Sequence, residues 1–434
     1  MKRVQQESGV ARRWHGWTAG VAAMAVVGLL ATGCADKEVP AAATKPLVPA
    51  AQLSISPATG SQNVVPGSGI TVTASGGKVK DVVVQNSGDT VVGTLSPDGT
   101  SWKSNWALNT AKSYTVTATA VNSAGKTVTQ TSTFTTLKPA HTFDTQIAES
   151  SHGTYGVGMP IQLSFDRAIT NRAAVEKAMQ LTTSQPVVGA WYWIDSQHLD
   201  FRPRDYWPAN TQVSLNAHLN GVAGANGVYA AGNLSQTFTI GRSLIVVAST
   251  RTHRMKVYKD GKLAYNWAIS TGKSGHDTPN GTYLTIDKGN PVEMRPADIK
   301  KGQPGYYDLK VPWSVRFTWA GDYLHDAYWS VDQQGSENVS HGCVNMAPAN
   351  AESYYKMEIP GDPVTITDSP LGGEPGDGWT DWFLGWSDVL GKSATHQAVQ
   401  AGSTGSQFVD PATLAATSAS SPTTTTFVHN AKAS

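Results

Sequence analysis

The sequence predicts a mainly β chain: two small sandwiches in tandem, then a larger β-rich unit carrying a reactive cysteine, then a short helical extension. Three observations carry that expectation. Short alternating stretches such as Ile70-Thr71-Val72-Thr73-Ala74 and Tyr114-Thr115-Val116-Thr117-Ala118 recur between turn signals, with the period of half-buried strands. Charged residues make up only 15% of the chain, below the usual quarter or so, while Gly, Thr, Ser and Val are plentiful. The two cysteines stand far apart, Cys34 at the end of an apolar leader and Cys343 in Ser340-His341-Gly342-Cys343-Val344-Asn345-Met346.

A length of 434 residues leads us to expect two to four domains. The 33 basic and 32 acidic side chains lack the basic excess of nucleic-acid binders, so no nucleic-acid partner is expected. Two cysteines permit one disulfide, Cys34 to Cys343; the leader argues against it.

Residues 1–33 have the pattern of a lipoprotein signal peptide. Lys2, Arg3, Arg12 and Arg13 make a positive beginning, and Val21 to Ala31 is an apolar run too short to span a bilayer comfortably. Leu30-Ala31-Thr32-Gly33-Cys34 resembles a lipobox, with Ala31 where Leu is usual. On that reading Cys34 is lipidated and holds the exported protein on the membrane. Ordinary secretion or an uncleaved anchor is the alternative. Residues 34–50, rich in Ala, Pro and Lys, read as a flexible tether.

Residues 51–137 alternate as above, with turns at Pro66-Gly67 and Asp98-Gly99, and read as an immunoglobulin-like sandwich without the paired cysteines of antibody domains. Residues 138–241 repeat the style in Pro160 to Phe165, Trp191-Tyr192-Trp193, Gln212 to Leu215 and Gln236 to Ile240, with one helical stretch from Asn171 to Met179. Neither domain holds a convergent nucleophile and base, so both read as spacers or binding modules.

The third unit, 242–368, opens with a hairpin from Leu244 to Tyr258 closed by Asp260-Gly261. Residues 288–312 have little periodicity and read as a lid. Pro348 to Tyr355 reads as a helix and Pro363 to Thr367 as a closing strand. A thiol attacks as its thiolate, and a nearby imidazole favours that form. His341 precedes Cys343 by two positions and His325 by eighteen. Gly342 lets the backbone approach a substrate with no Cβ in the way. A zinc site from His325, His341, Cys343 and His276 fits no common spacing. No metal and no cofactor is expected.

His325 followed by Ser340-His341-Gly342-Cys343 and Asn345 resembles the active-site signature of L,D-transpeptidases, the cysteine enzymes that cross-link bacterial peptidoglycan. Ser270-Thr271-Gly272 and Thr278-Pro279-Asn280-Gly281 resemble that family's structural markers. With its two preceding domains the chain looks like the actinobacterial members. The resemblance implies Cys343 as nucleophile, His325 as general base and acid, and His341 and Ser340 in support. It implies backbone oxyanion stabilisation near Gly342 and Cys343, and a carbonyl of Asp326 orienting His325, where serine or glycine is more usual. Tyr307 falls where the family has a lid tyrosine, with Tyr306 the alternative. Ala320 and Gly321 match substrate-contacting positions, and Asn345 matches a substrate or loop contact. Peptidoglycan stem peptides are the implied partners, carbapenems the implied covalent inhibitors, and the wall-facing side of the membrane the implied location. The competing function class is a non-catalytic wall-binding lipoprotein with a relic third domain; an intact Cys343 and His325 argue against it. A papain-like protease has the opposite order of Cys and His.

In the extension, 369–396, Trp379, Trp382 and Trp386 fall at i, i+3 and i+7. This predicts a helix face packed on the catalytic unit, which would make residues 242–396 self-sufficient. Residues 397–434, rich in Ala, Ser and Thr, read as a disordered tail.

Overall fold

The computed structural model describes residues 48–418, apart from 87, 89, 297–298 and 304–305. The expected signal peptide, Cys34 and most of the tether lie outside the described residues. Among those described, no helix is long and apolar enough to cross a membrane.

Alternation builds the first sandwich. In Ser113–Val121 every second residue from Tyr114 to Ala120 is buried, because successive side chains of a strand face opposite ways. That strand lies between Lys78–Asn86 and Thr127–Thr135. The facing sheet pairs Gln52–Ser56, Thr71–Ser75, Ser101–Ser104 and Gly93–Leu95. Tyr114 and Phe134 stack at 5.4 Å in the core between them.

The second sandwich has more apolar strands. Val187–Trp193 buries Ala190, Trp191, Tyr192 and Trp193 in succession, the mark of a strand covered on both faces. Its sheet is six-stranded, and here the structure departs from the expected tail. Ala398–Gly402 pairs antiparallel with Val187–Gly189, and Gly405–Val409 pairs with Ala398–Gly402. Residues 398–409 are therefore ordered strands, followed by the helix Pro411–Ser418. Ala398, Val399 and Ala401 are buried. Three small apolar residues carry little hydrophobic signal by themselves; an open sheet edge gives them backbone partners and a core.

The extension also departs from expectation. It is no single helix but a 3-10 turn, Asp381–Phe383, and a short helix, Trp386–Lys392. Its tryptophans do not share one partner. Trp382 is 5% exposed and packs on the second sandwich, against Tyr206. Trp386 and Val389 cover Ala190 and Tyr192 of that same sandwich. Trp379 meets Trp319, and Phe383 meets Tyr283, on the catalytic unit. Glu176, fully buried in the second sandwich, accepts from the Trp193 indole, the Ser393 and Thr395 hydroxyls and the Ala394 N–H. The extension straps two units together, so residues 242–396 do not hold all the partners of their own apolar face.

The catalytic unit is a nine-stranded sheet. In order across it lie Gly281–Leu284, Pro363–Thr367, Leu244–Ser249, Arg254–Lys259, Lys262–Ser270, Val344–Met346, Tyr323–Asp326, Ser314–Arg316 and Lys288–Gly289. The helix Pro348–Met357 buries Ala351 and Tyr354 against the core. The expected lid is a hairpin in part, Val292–Met294 with Leu309–Val311. At the junction with the second sandwich, Arg242 pairs with the buried Asp362 at 2.6 Å, and Gly156 and Gly158 donate to the carbonyls of Pro360 and Gly361.

Candidate active site

Strand order creates the site. Tyr323–Asp326 and Val344–Met346 are parallel neighbours, with His325 opposite Asn345. Cys343 is the bend residue directly before the second of these strands, two positions from Asn345. The register thus brings His325, eighteen residues before Cys343 in sequence, beside the strand that Cys343 leads into.

The turn before Cys343 is held by hydroxyls. Ser340 Oγ donates to the Cys343 carbonyl at 2.6 Å and accepts from the Gly342 N–H at 3.2 Å. Thr278 Oγ1 donates to the Gly342 carbonyl at 2.6 Å and accepts from the Gly272 N–H at 2.9 Å. This corrects the expectation that the Gly342 N–H serves an oxyanion: Ser340 already occupies it. The N–H groups of Tyr323 and Cys343 itself lie against the sulfur and favour its thiolate. Gly342 is required for another reason. Its φ is +126°, a conformation that side-chain-bearing residues avoid, and a Cβ there would lie 2.4 Å from Asp322 Oδ1.

Cys343 keeps part of its surface open, and its Sγ lies 3.9 Å from the Gly321 carbonyl. Burial pushes its thiol up to about 12, and the Asp322 carboxylate adds to the rise. His325 is 3% exposed, and burial holds its imidazole down at about 4. Its Nδ1 lies 2.7 Å from the Asp326 carbonyl, which fixes the Nδ1–H tautomer and leaves Nε2 with its lone pair. At neutral pH Cys343 is therefore a thiol and His325 a neutral imidazole. The expected thiolate–imidazolium pair is disfavoured, because a dry site disfavours both charges.

His341 is exposed and lies between the rings of His276, at 4.8 Å, and Tyr307, at 5.5 Å. Tyr307 senses the charge of Cys343, whereas the Tyr306 hydroxyl faces Asp308 at 3.5 Å. Of the two tyrosines, Tyr307 is the one over the site. Asn345 is 3% exposed and its amide donates to Ser330 Oγ, a contact to the turn at Tyr328–Ser330. The Ala320 N–H is taken by Asp377 Oδ1 at 2.7 Å, so that backbone donor is not open to a substrate either. Among the described residues, no group of three or more His, Cys, Asp or Glu is placed to hold a metal.

Three participants escaped the sequence reading. Trp329, 45% exposed, stacks on His325 at 5.9 Å. Thr278 was legible only as a fold marker. Asp322, three residues before His325, lies against Gly342 and raises the Cys343 thiol; its position relative to His325 was the only available signal.

Residues 243–366 match the L,D-transpeptidase catalytic domain, and residues 61–223 match a bacterial Ig domain. L,D-transpeptidase 2 of Mycobacterium tuberculosis is 34% identical over 356 residues, covering 81% of this chain and 86% of that protein. The chain belongs to the L,D-transpeptidase family. L,D-transpeptidase 5 of Mycobacterium tuberculosis is also 34% identical, over 83% of this chain and 81% of its own length. The solved complex of the LD transpeptidase LdtMt1 with imipenem is 31% identical, covers 51% of this chain and 97% of that one, and gives a TM-score of 0.44. For an L,D-transpeptidase, both Ig-like sandwiches precede the catalytic unit here, and the extension returns to the second of them.

Proposed function

We propose that this L,D-transpeptidase cross-links peptidoglycan by acyl transfer through Cys343. The observation that supports the reading is the register that sets His325 opposite Asn345, two residues beyond Cys343, with His325 Nδ1 held by the Asp326 carbonyl. With the thiol up at about 12 and the imidazole down at about 4, attack and proton transfer are coupled. His325 Nε2 takes the thiol proton as sulfur attacks the carbonyl of the third residue of a tetrapeptide stem. The tetrahedral oxyanion is met by the Cys343 and Tyr323 N–H groups, of the kind worth a few kcal/mol each. The intermediate collapses, His325 gives its proton to the leaving D-alanine, and a thioester remains. An amine of a second stem attacks it and a 3→3 cross-link forms. A diaminopimelate amine as that nucleophile, acylation of Cys343 by carbapenems, and a lipid anchor at Cys34 facing the wall belong to the same reading.

The test is incubation of the purified chain with a disaccharide-tetrapeptide, read by mass. Dimers and a transient adduct on Cys343 are expected. Cys343→Ala should lose both and keep its melting temperature, since the sulfur adds little burial. Dimers from Cys343→Ala would remove the nucleophile assignment.

A further inference from the structure

Asp322 rests directly against the backbone that carries the nucleophile. Its Oδ1 fills the space where a Gly342 side chain would begin. Its Oδ2 accepts from the Thr318 hydroxyl at 3.1 Å, and that hydroxyl accepts from the Asp322 N–H at 2.8 Å, so the carboxyl is aimed and held. Its charge reaches the Cys343 thiol and the Tyr307 hydroxyl and raises both. The carboxyl thus lies against the turn at Gly342, one residue before the sulfur-bearing Cys343. Among the described residues no basic side chain pairs with it. The groups that act on it are the Thr318 hydroxyl and a second carboxyl, Asp377. Burial holds it up at about 6, still mostly ionised at neutral pH. A carboxylate here hinders thiolate formation, so it does not serve the first half-reaction. A cation is the missing partner, and the second half-reaction brings one.

We propose that Asp322 binds the acceptor amine and takes its first proton. The proposal rests on the acyl-transfer reading of Cys343. An aliphatic acceptor amine arrives as an ammonium, with a pKa near the lysine value of about 10.4, and so has no lone pair. The ionised Asp322 pairs with it beside the thioester and accepts one N–H proton. The nitrogen attacks the thioester carbon. The C–N bond forms, the C–S bond breaks, and a second N–H proton passes through His325 to the leaving sulfur. An amide, a Cys343 thiol and a protonated Asp322 result, and Asp322 returns its proton to water. Water as the rival acceptor carries no charge for the carboxylate to pair with, so the charge pairing favours the amine alone. Asp322 therefore sets the ratio of cross-linking to hydrolysis.

Asp322→Asn in the full chain keeps the size of the side chain and an oxygen for Thr318. Acyl-enzyme formation from a tetrapeptide stem is followed by mass, then the ratio of dimer to hydrolysed stem. The variant should acylate at least as fast as wild type, because the charge opposing the thiolate is gone. Its dimer-to-hydrolysis ratio should fall roughly ten- to a hundredfold, the loss expected for one charged hydrogen bond. Asp322→Glu should recover part of it. With an aminooxy acceptor, neutral at this pH, Asn variant and wild type should partition alike. An unchanged ratio with the amine acceptor overturns the proposal, and so does an equal fall with both acceptors. Wild-type chain that forms no adduct on Cys343 overturns the acyl-transfer reading instead, a failure visible before any acceptor is added.

Discussion

Trp382 lies edge-on against Tyr206, with ring centroids 4.3 Å apart, although one belongs to the C-terminal extension and the other to the second sandwich. Its indole N–H donates to the Gly158 carbonyl at 2.8 Å, and the Arg202 guanidinium covers its face at 4.4 Å. Five residues earlier in the extension, Asp377 accepts the Ala320 N–H beside the active site. One segment thus joins the second sandwich to the loop leading into the base strand.

Trp382→Ala should therefore destabilise the chain by roughly 3–5 kcal/mol, the range for a buried tryptophan. Ending the chain at residue 396 should also lower the urea midpoint, since it strips the second sandwich of Val399 and Ala401 and reopens the edge at Val187–Gly189. Equal midpoints for the full and shortened chains would show that the added hairpin contributes nothing.

Thr278→Val should impair acylation without removing any titratable group. The hydroxyl holds the Gly342 carbonyl and the Gly272 N–H together. Its loss leaves two buried polar groups without that partner, at about 1–3 kcal/mol. Acylation by a tetrapeptide stem should slow by about tenfold or more, with Cys343 still titrated stoichiometrically by a thiol reagent in denaturant. Wild-type acylation rates in this variant would show that the turn is held without it.

Gly342→Ala should be more damaging than its size implies. A positive φ and a contact with Asp322 Oδ1 at 2.4 Å force the turn to move, at about 1–3 kcal/mol of backbone strain. The adduct on Cys343 should form at least tenfold more slowly. An adduct at the wild-type rate would mean that the turn relaxes freely.

Stability should fall as the pH rises from acid to neutral. Glu149, 2% exposed beside Gln162 in the second sandwich, is pushed up by burial from 4.5 to about 8. Between those values the folded chain holds a proton that the unfolded chain has released. The unfolded state then binds fewer protons, and stability declines with pH across that window and levels off above it. Glu149→Gln should flatten part of the slope, on the order of 1 kcal/mol or more between pH 5 and 8. Urea midpoints at the two pH values measure it; parallel slopes for variant and wild type would locate the protons elsewhere.

Much of the fold was legible in the sequence because its signals are local. Alternation within nine residues marks Ser113–Val121 as a strand, and the run from Ser340 to Asn345, with His325 upstream, is short enough to read as one motif. What could not be read depends on partners distant in the chain. Ala398 to Ala401 is too small and polar to declare itself a strand. It becomes one because Val187–Gly189, more than two hundred residues earlier, offers an open edge. The three tryptophans announced an apolar face, but only tertiary packing decided that Trp382 belongs to Tyr206 while Trp379 belongs to Trp319. Likewise the motif announces which residue types the chemistry uses, while side-chain and loop packing put Asp322 against Gly342, Thr278 between Gly342 and Gly272, and Trp329 on His325. Periodicity and motifs are properties of neighbours along the chain; burial, pKa and contact are set by whatever the folded backbone brings alongside.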